Sequence, residues 1–100
     1  MAGDPRWKDK LTDQLCKAIL LLKNENECNN FLEDLATINE IKEFSQRFEV
    51  ARMLNNSFTY EEIVEKTGAS SATISRVKKC LNYGADGYKI ILKRMFKEKK

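Results

Sequence analysis

The chain has no histidine, one proline, one tryptophan, four glycines and three cysteines in 100 residues. Without histidine, a cysteine nucleophile lacks its usual base. No glycine-rich phosphate loop and no metal-spaced cluster is present, so catalysis is the weakest functional class and no cofactor is expected. Asp13, Glu33 and Asp34 read most simply as solvated helix surface. Cys16, Cys28 and Cys80 are scattered, odd in number and form no C-x-x-C pair. That argues against a disulfide framework and fits a reducing cytoplasm. The longest strongly apolar run, Ala18 to Leu22, is far too short to cross a bilayer. Met1 to Trp7 lacks the charged-then-apolar pattern of a signal peptide. A cytoplasmic protein with no membrane partner is the expectation.

What is present is a mixture of 42% apolar and 33% charged residues, which suits a soluble globular chain. Its length is enough for one domain over residues 1–100, with no repeat or linker. Breakers this sparse favour an all-helical fold with short connections. The net charge of +3 is unevenly spread. Residues 1–50 hold 7 Lys+Arg against 10 Asp+Glu, and residues 51–100 hold 11 against 5. From Gly68 onward the count is 9 against 2, which suggests a polyanionic partner for that part. Lys97, Lys99 and Lys100 read instead as a solvated tail.

Asp4-Pro5 looks like a helix start, with the helix running to about Lys23. Leu11, Leu15, Ile19 and Leu22 form one stripe, and Cys16, Ala18, Leu20 and Leu21 make its second half apolar nearly all round. One small core cannot cover so much apolar surface, so the pattern implies a homodimer in which a partner wraps this helix. Asn24 to Asn30 reads as a polar connection before a short helix through Phe31, Leu32, Leu35 and Ala36. Thr37 and Glu40 suit a capping box for a helix over about Ile38 to Asn55. Its expected buried face is Ile38, Ile41, Phe44, Phe48, Ala51 and Leu54. Thr59 and Glu62 suit another capping box, before a helix over Tyr60 to Thr67 that Gly68 ends. Ser70 or Ser71 caps the next helix, which runs to about Asn82 and is closed by Gly84. Asp86-Gly87 turns the chain into a last helix carrying Tyr88, Ile91, Leu92, Met95 and Phe96.

Two short helices joined at a glycine, over about residues 60–82, have helix-turn-helix spacing. Ile74, Val77 and Leu81 fall within about 60° of one another on the second helix. Ala72, Ser75, Arg76 and Lys79 lie on the opposite side. A recognition helix needs such a surface: small hydroxylated residues near base edges and cations near phosphates. Ser71, Ala72, Thr73 and Ser75 are therefore candidates for base contact, and Arg76, Lys78 and Lys79 for phosphate contact. Free amides at the helix starts near Thr59 and Ser71 add anion donors. Arg76 alone is read equally well as an exposed arginine serving solubility. The aromatics Phe44, Phe48, Tyr83 and Tyr88 read as core rather than as a stacking platform.

The run TGASSATISRVKKCLNYG, with FLEDLATINEI and RFEVARML upstream, resembles the YerC/YecD family of the tryptophan-repressor-like superfamily. The resemblance covers about Leu11 to Tyr88. It implies an all-α, intertwined homodimer of six helices per chain and a role in transcription regulation. It also implies double-stranded DNA as partner, with contacts at Ser70, Ser71, Ala72, Thr73 and Ser75. Tryptophan repressors share G-A-x-x-A-T-I-[ST]-R, here Gly68 to Arg76, and hold tryptophan between two arginines beside a glycine. Arg76 matches the second arginine, but the glycine position is Val77 and the first arginine aligns with Gln46. The resemblance therefore implies a weak ligand position at Arg76 and argues against tryptophan as effector. Glu61 replaces a basic DNA contact, so the operator should differ.

Two functional readings remain from the residues. One is a homodimeric regulator that inserts Ser71 to Lys79 of each chain into successive major grooves. The other is a protein-interaction module on the same fold, favoured by the carboxylates of Glu61, Glu62 and Glu65.

Overall fold

A computed structural model of the chain describes residues 4–96; the lysine tail at Lys97, Lys99 and Lys100 lies outside them. Six α-helices and no strand occur among the described residues. The chain divides between Thr37 and Ile38 into two compact units.

In the first unit, α1 spans Lys10–Leu20 and α2 spans Glu25–Leu35. The helix start expected at Asp4-Pro5 is instead a turn, in which the Lys8 amide donates to the Pro5 carbonyl at 3.1 Å. Asp9 caps α1, because it and Thr12 form a reciprocal box: each backbone amide donates to the other's side chain, at 2.8 and 2.9 Å. α1 ends at Leu20 rather than at Lys23. The polar run at Asn24 is a helix start rather than a connection. The Asn24 side chain accepts from the Glu27 amide at 2.9 Å, and the Glu27 carboxylate accepts from the Lys23 amide at 2.9 Å. Neither α1 nor α2 contains a buried residue; Leu11, Leu20 and Leu21 are 75%, 82% and 74% exposed.

In the second unit, α3 spans Ile38–Asn55, α4 Tyr60–Thr67, α5 Ser71–Tyr83 and α6 Gly87–Met95. α3 packs against α4, α5 and α6, and α5 also packs against α6. The core is Val50, Ala51 and Met53 of α3, Ile63 of α4, Ala69 of the turn, Ile74, Val77 and Leu81 of α5, and Leu92 of α6. Fully burying a side chain of this size contributes roughly 1.5–3 kcal/mol. The expected face of α3 is only partly right. Ala51 is buried and Phe48 and Leu54 are half-buried, but Ile38 and Phe44 are exposed and Val50 and Met53 take their place. On a helical wheel Ile38, Ile41 and Phe44 lie about 120° to 180° from Val50, so α3 carries two apolar faces. The later helices of the chain cover the one near its C-terminus.

Among the four aromatics expected in the core, Phe48 and Tyr88 pack against it, their ring centroids 6.4 Å apart. Burial pushes the Tyr88 phenol above its ordinary pKa. Phe44 and Tyr83 are exposed. Of the apolar residues expected on the last helix only Leu92 is buried. A methyl at Gly84 would collide with the Cys80 carbonyl oxygen, so that close approach needs glycine.

Gly68 has φ of 71°, and a Cβ there would meet nothing within 4 Å. The cost of Gly68→Ala is therefore conformational and should be about 1 kcal/mol. Thr59→Ala should cost about as much by removing a cap. Urea unfolding followed by circular dichroism would measure both, and an unchanged midpoint for Gly68→Ala would contradict the left-handed turn.

Candidate nucleic-acid interface

The site is built on α4 and α5, and local hydrogen bonds fix both starts. The Thr59 hydroxyl accepts from the Glu62 amide at 3.1 Å while the Glu62 carboxylate accepts from the Thr59 amide at 2.8 Å. Ser70, not Ser71, caps α5: its hydroxyl accepts from the Thr73 amide at 3.1 Å and donates to the Thr73 hydroxyl at 3.1 Å. Each cap leaves the two amides that follow it, Tyr60 and Glu61 in α4 and Ser71 and Ala72 in α5, open to an outside acceptor. Those open N–H groups carry the positive ends of the helix dipoles.

The turn between the helices is held from three sides. The Thr67 hydroxyl donates to the Ile63 carbonyl at 2.8 Å and accepts from the Ala69 amide at 3.1 Å. Ala69 itself is buried. From α3, the Gln46 side-chain amide donates to the Thr67 carbonyl at 3.0 Å. That bond satisfies one of the carbonyls a helix leaves open at its C-terminus.

With the turn fixed, Ile74, Val77 and Leu81 lock α5 onto the core at 4%, 1% and 6% exposure. Ser71, Ala72, Ser75, Arg76, Lys78 and Lys79 are then exposed together. Thr73 is half-buried, and its hydroxyl and that of Ser70 are engaged in the cap. The exposed group divides by direction. Ser71, Ser75 and Lys78 line a groove of about 490 Å³ with Leu54, Phe58, Ile74 and Tyr60. Ala72, Arg76 and Lys79 share the pole of α5 that points away from the core. Nothing in the α5 pattern singles out Phe58 and Tyr60; the only sequence signal for Tyr60 is its place beside the Thr59 cap.

The acidic residues of α4 do not share that groove. Glu62 and Glu65 border a separate hollow with Met53, Phe58 and Lys66, across Phe58 from the α5 residues. On α3, the Arg52 guanidinium holds the Glu49 carboxyl below its ordinary pKa through hydrogen bonds of 2.8 and 2.9 Å. Among the described residues no group of side chains suits a metal ion.

The family model of the Trp repressor protein matches residues 10–96 of this chain. The chain belongs to the Trp repressor family. It is 56% identical over 90 residues to the uncharacterized protein YerC of Bacillus subtilis (strain 168), covering 90% of this chain and 86% of that protein. Its fold is similar to that of a candidate Trp repressor from Staphylococcus aureus, with a TM-score of 0.86 and 47% identity over 93% of both chains. It is equally similar to a TrpR-like protein from Eubacterium eligens ATCC 27750: TM-score 0.86 and 54% identity over 93% of this chain and 96% of that one. The six-helix, all-α fold is thus that of a Trp-repressor-like regulator. Val77 is part of the core and the Gln46 side chain is bonded to the turn.

Proposed function

We propose that this protein is a sequence-specific DNA-binding transcriptional regulator that acts in the cytoplasm as a homodimer and does not respond to tryptophan. The observation that carries the reading is the exposed hydroxyl-and-cation face of α5, held at a fixed angle by Ile74, Val77 and Leu81. Such a face, presented by the second helix of a helix-turn-helix, suits insertion into a major groove. Of the three carboxylates that favour a protein-interaction module, Glu62 and Glu65 border a hollow separate from the groove that Lys78 lines, and Glu61 lines neither, which weakens that reading. The dimer is supported by α1 and α2, which bury none of their own residues within the chain. In that dimer residues 1–100 act as one domain, since the apolar face of α1 is completed by the partner.

Three measurements test this reading. Fluorescence anisotropy on DNA recovered by genomic selection should show tight binding that weakens steeply with salt. Half-sites should be related by two-fold symmetry and lie about 34 Å apart or a multiple of it. Changing Arg76 and Lys79 together to alanine should weaken binding roughly tenfold or more with the dimer intact. Unchanged binding would remove both residues from the mechanism. Light scattering should show a dimer at micromolar concentration, and a stable folded monomer there would overturn the assembly. Calorimetry with tryptophan should show no saturable binding, because Val77 replaces the glycine that makes room for the ligand in repressors; clear saturation would overturn that part.

A further inference from the structure

The Thr59–Glu62 and Ser70–Thr73 caps and the two bonds of the Thr67 hydroxyl join residues within four positions of one another. The 3.0 Å bond from the Gln46 side-chain amide to the Thr67 carbonyl spans 21 positions and ties α3 to the turn. The Thr67 carbonyl and the Gly68 amide belong to one planar peptide unit. The Gly68 amide donates to the Val64 carbonyl at 2.8 Å, so that plane is held at both ends. Directly after it come Gly68, with its φ of 71°, buried Ala69 and the Ser70 cap of α5. Tilting the plane would swing all three and carry the start of α5 with them. Gln46 itself is half-buried, on the α3 stripe that carries Val50 and Met53 four and seven positions on.

Burial of Ile74, Val77 and Leu81 decides which side of α5 faces the core, but apolar burial is non-directional and resists small slides and rotations weakly. A hydrogen bond weakens steeply outside a narrow range of distance and angle. The candidate base readers Ser71, Ala72 and Ser75 have short side chains that cannot follow a displaced helix. Lys78 and Lys79 reach phosphates on flexible four-carbon stems, which can. We propose that Gln46 is a positioning residue for sequence discrimination: its bond to the Thr67 carbonyl aims the start of α5, so the selected site is told from other DNA through a side chain on the packed side of α3. The proposal rests on the DNA-binding reading above and deepens it. Base contact depends on the bond, while phosphate contact, which carries no sequence information, does not.

The test uses Gln46→Met and Gln46→Glu in the full chain, at constant ionic strength, with thermal melts confirming a folded protein at each pH. Affinity is measured by anisotropy on the selected site and on a scrambled duplex. Gln46→Met keeps the length of the side chain and removes the donor. It should weaken the selected site about tenfold and leave the scrambled duplex within about twofold. In Gln46→Glu the protonated carboxyl can still donate to the Thr67 carbonyl, whereas the ionised one is repelled by it. That bond favours the acid form and raises the carboxyl above its ordinary pKa of about 4.3, so the bond is present below the raised value and lost as pH rises through it. Discrimination by Gln46→Glu should therefore approach that of the unaltered protein near about pH 5 and fall about tenfold by about pH 8. Arg47, Glu49 and Arg52 on α3, Lys66 on α4 and Arg76 on α5 are unchanged in the variant, so the unaltered protein at each pH is the control. Equal weakening of both duplexes would make Gln46 a support of the fold alone and overturn the proposal. Unchanged discrimination in Gln46→Met, or a Gln46→Glu profile parallel to that of the unaltered protein, would overturn it as well. In those cases the DNA-binding reading stands as long as the unaltered protein distinguishes the two duplexes; if it binds neither, both fall.

Discussion

The burial of Val50, Ala51 and Met53 at the C-terminal end of α3 is the constraint on which the second unit depends. α4 has eight residues and α5 thirteen, lengths at which an isolated helix is marginal in water. Each persists because it lays one apolar stripe on α3: Ile63 from α4, and Ile74, Val77 and Leu81 from α5. The direction of the polar face of α5 is therefore a consequence of which side of α3 is apolar near residue 50. The Gln46 bond to the Thr67 carbonyl adds a directional tie to this non-directional burial, fixing the end of α4 where the turn begins.

The parts of the fold that could be read from the sequence are those decided within a few residues. Thr59 with Glu62, the left-handed Gly68, the Ser70 or Ser71 cap and the stop at Gly84 are all local arrangements, and the bounds of α4 follow from them. Where two local options competed, the reciprocal one won: Asp9 with Thr12 outcompetes Asp4 before a proline. At Asn24 a one-way cap, its side chain accepting from the Glu27 amide, turns a polar run into a helix start. The face of α3 was harder to read, because a wheel carrying two apolar stripes does not say which one the rest of the chain will cover. The site divides the same way. The exposure of Ser75, Arg76 and Lys79 follows from the period of α5 alone. The company Tyr60 keeps with Ser71 and Lys78 depends on how α4 and α5 meet, which no spacing records.

Val77 and Gln46 are each tied into the packing around the turn. Val77 is 1% exposed in the shared core, so trimming it to glycine would remove buried surface and add the helix cost of glycine, about 1 kcal/mol. Replacing Gln46 would remove the donor that satisfies the Thr67 carbonyl. Both positions hold the helix-turn-helix in place here. The turn is thereby held by the chain's own side chains.

α3 also connects the two kinds of surface this chain presents. Its eighteen residues span about 27 Å. Ile38 and Phe44 near its start are exposed apolar surface, and Val50, Ala51 and Met53 near its end anchor α4 and α5. A continuous helix does not bend easily without a proline or a break in its hydrogen bonds, and α3 contains no proline. If a second copy of the proposed dimer also covers Ile38 and Phe44, the position of each α5 is set by the same rigid rod that makes the contact. Half-site spacing would then be a property of α3 and its pairing rather than of any flexible connection. A change at Phe44, far along the rod from Arg76, would act on DNA through the separation of the two heads.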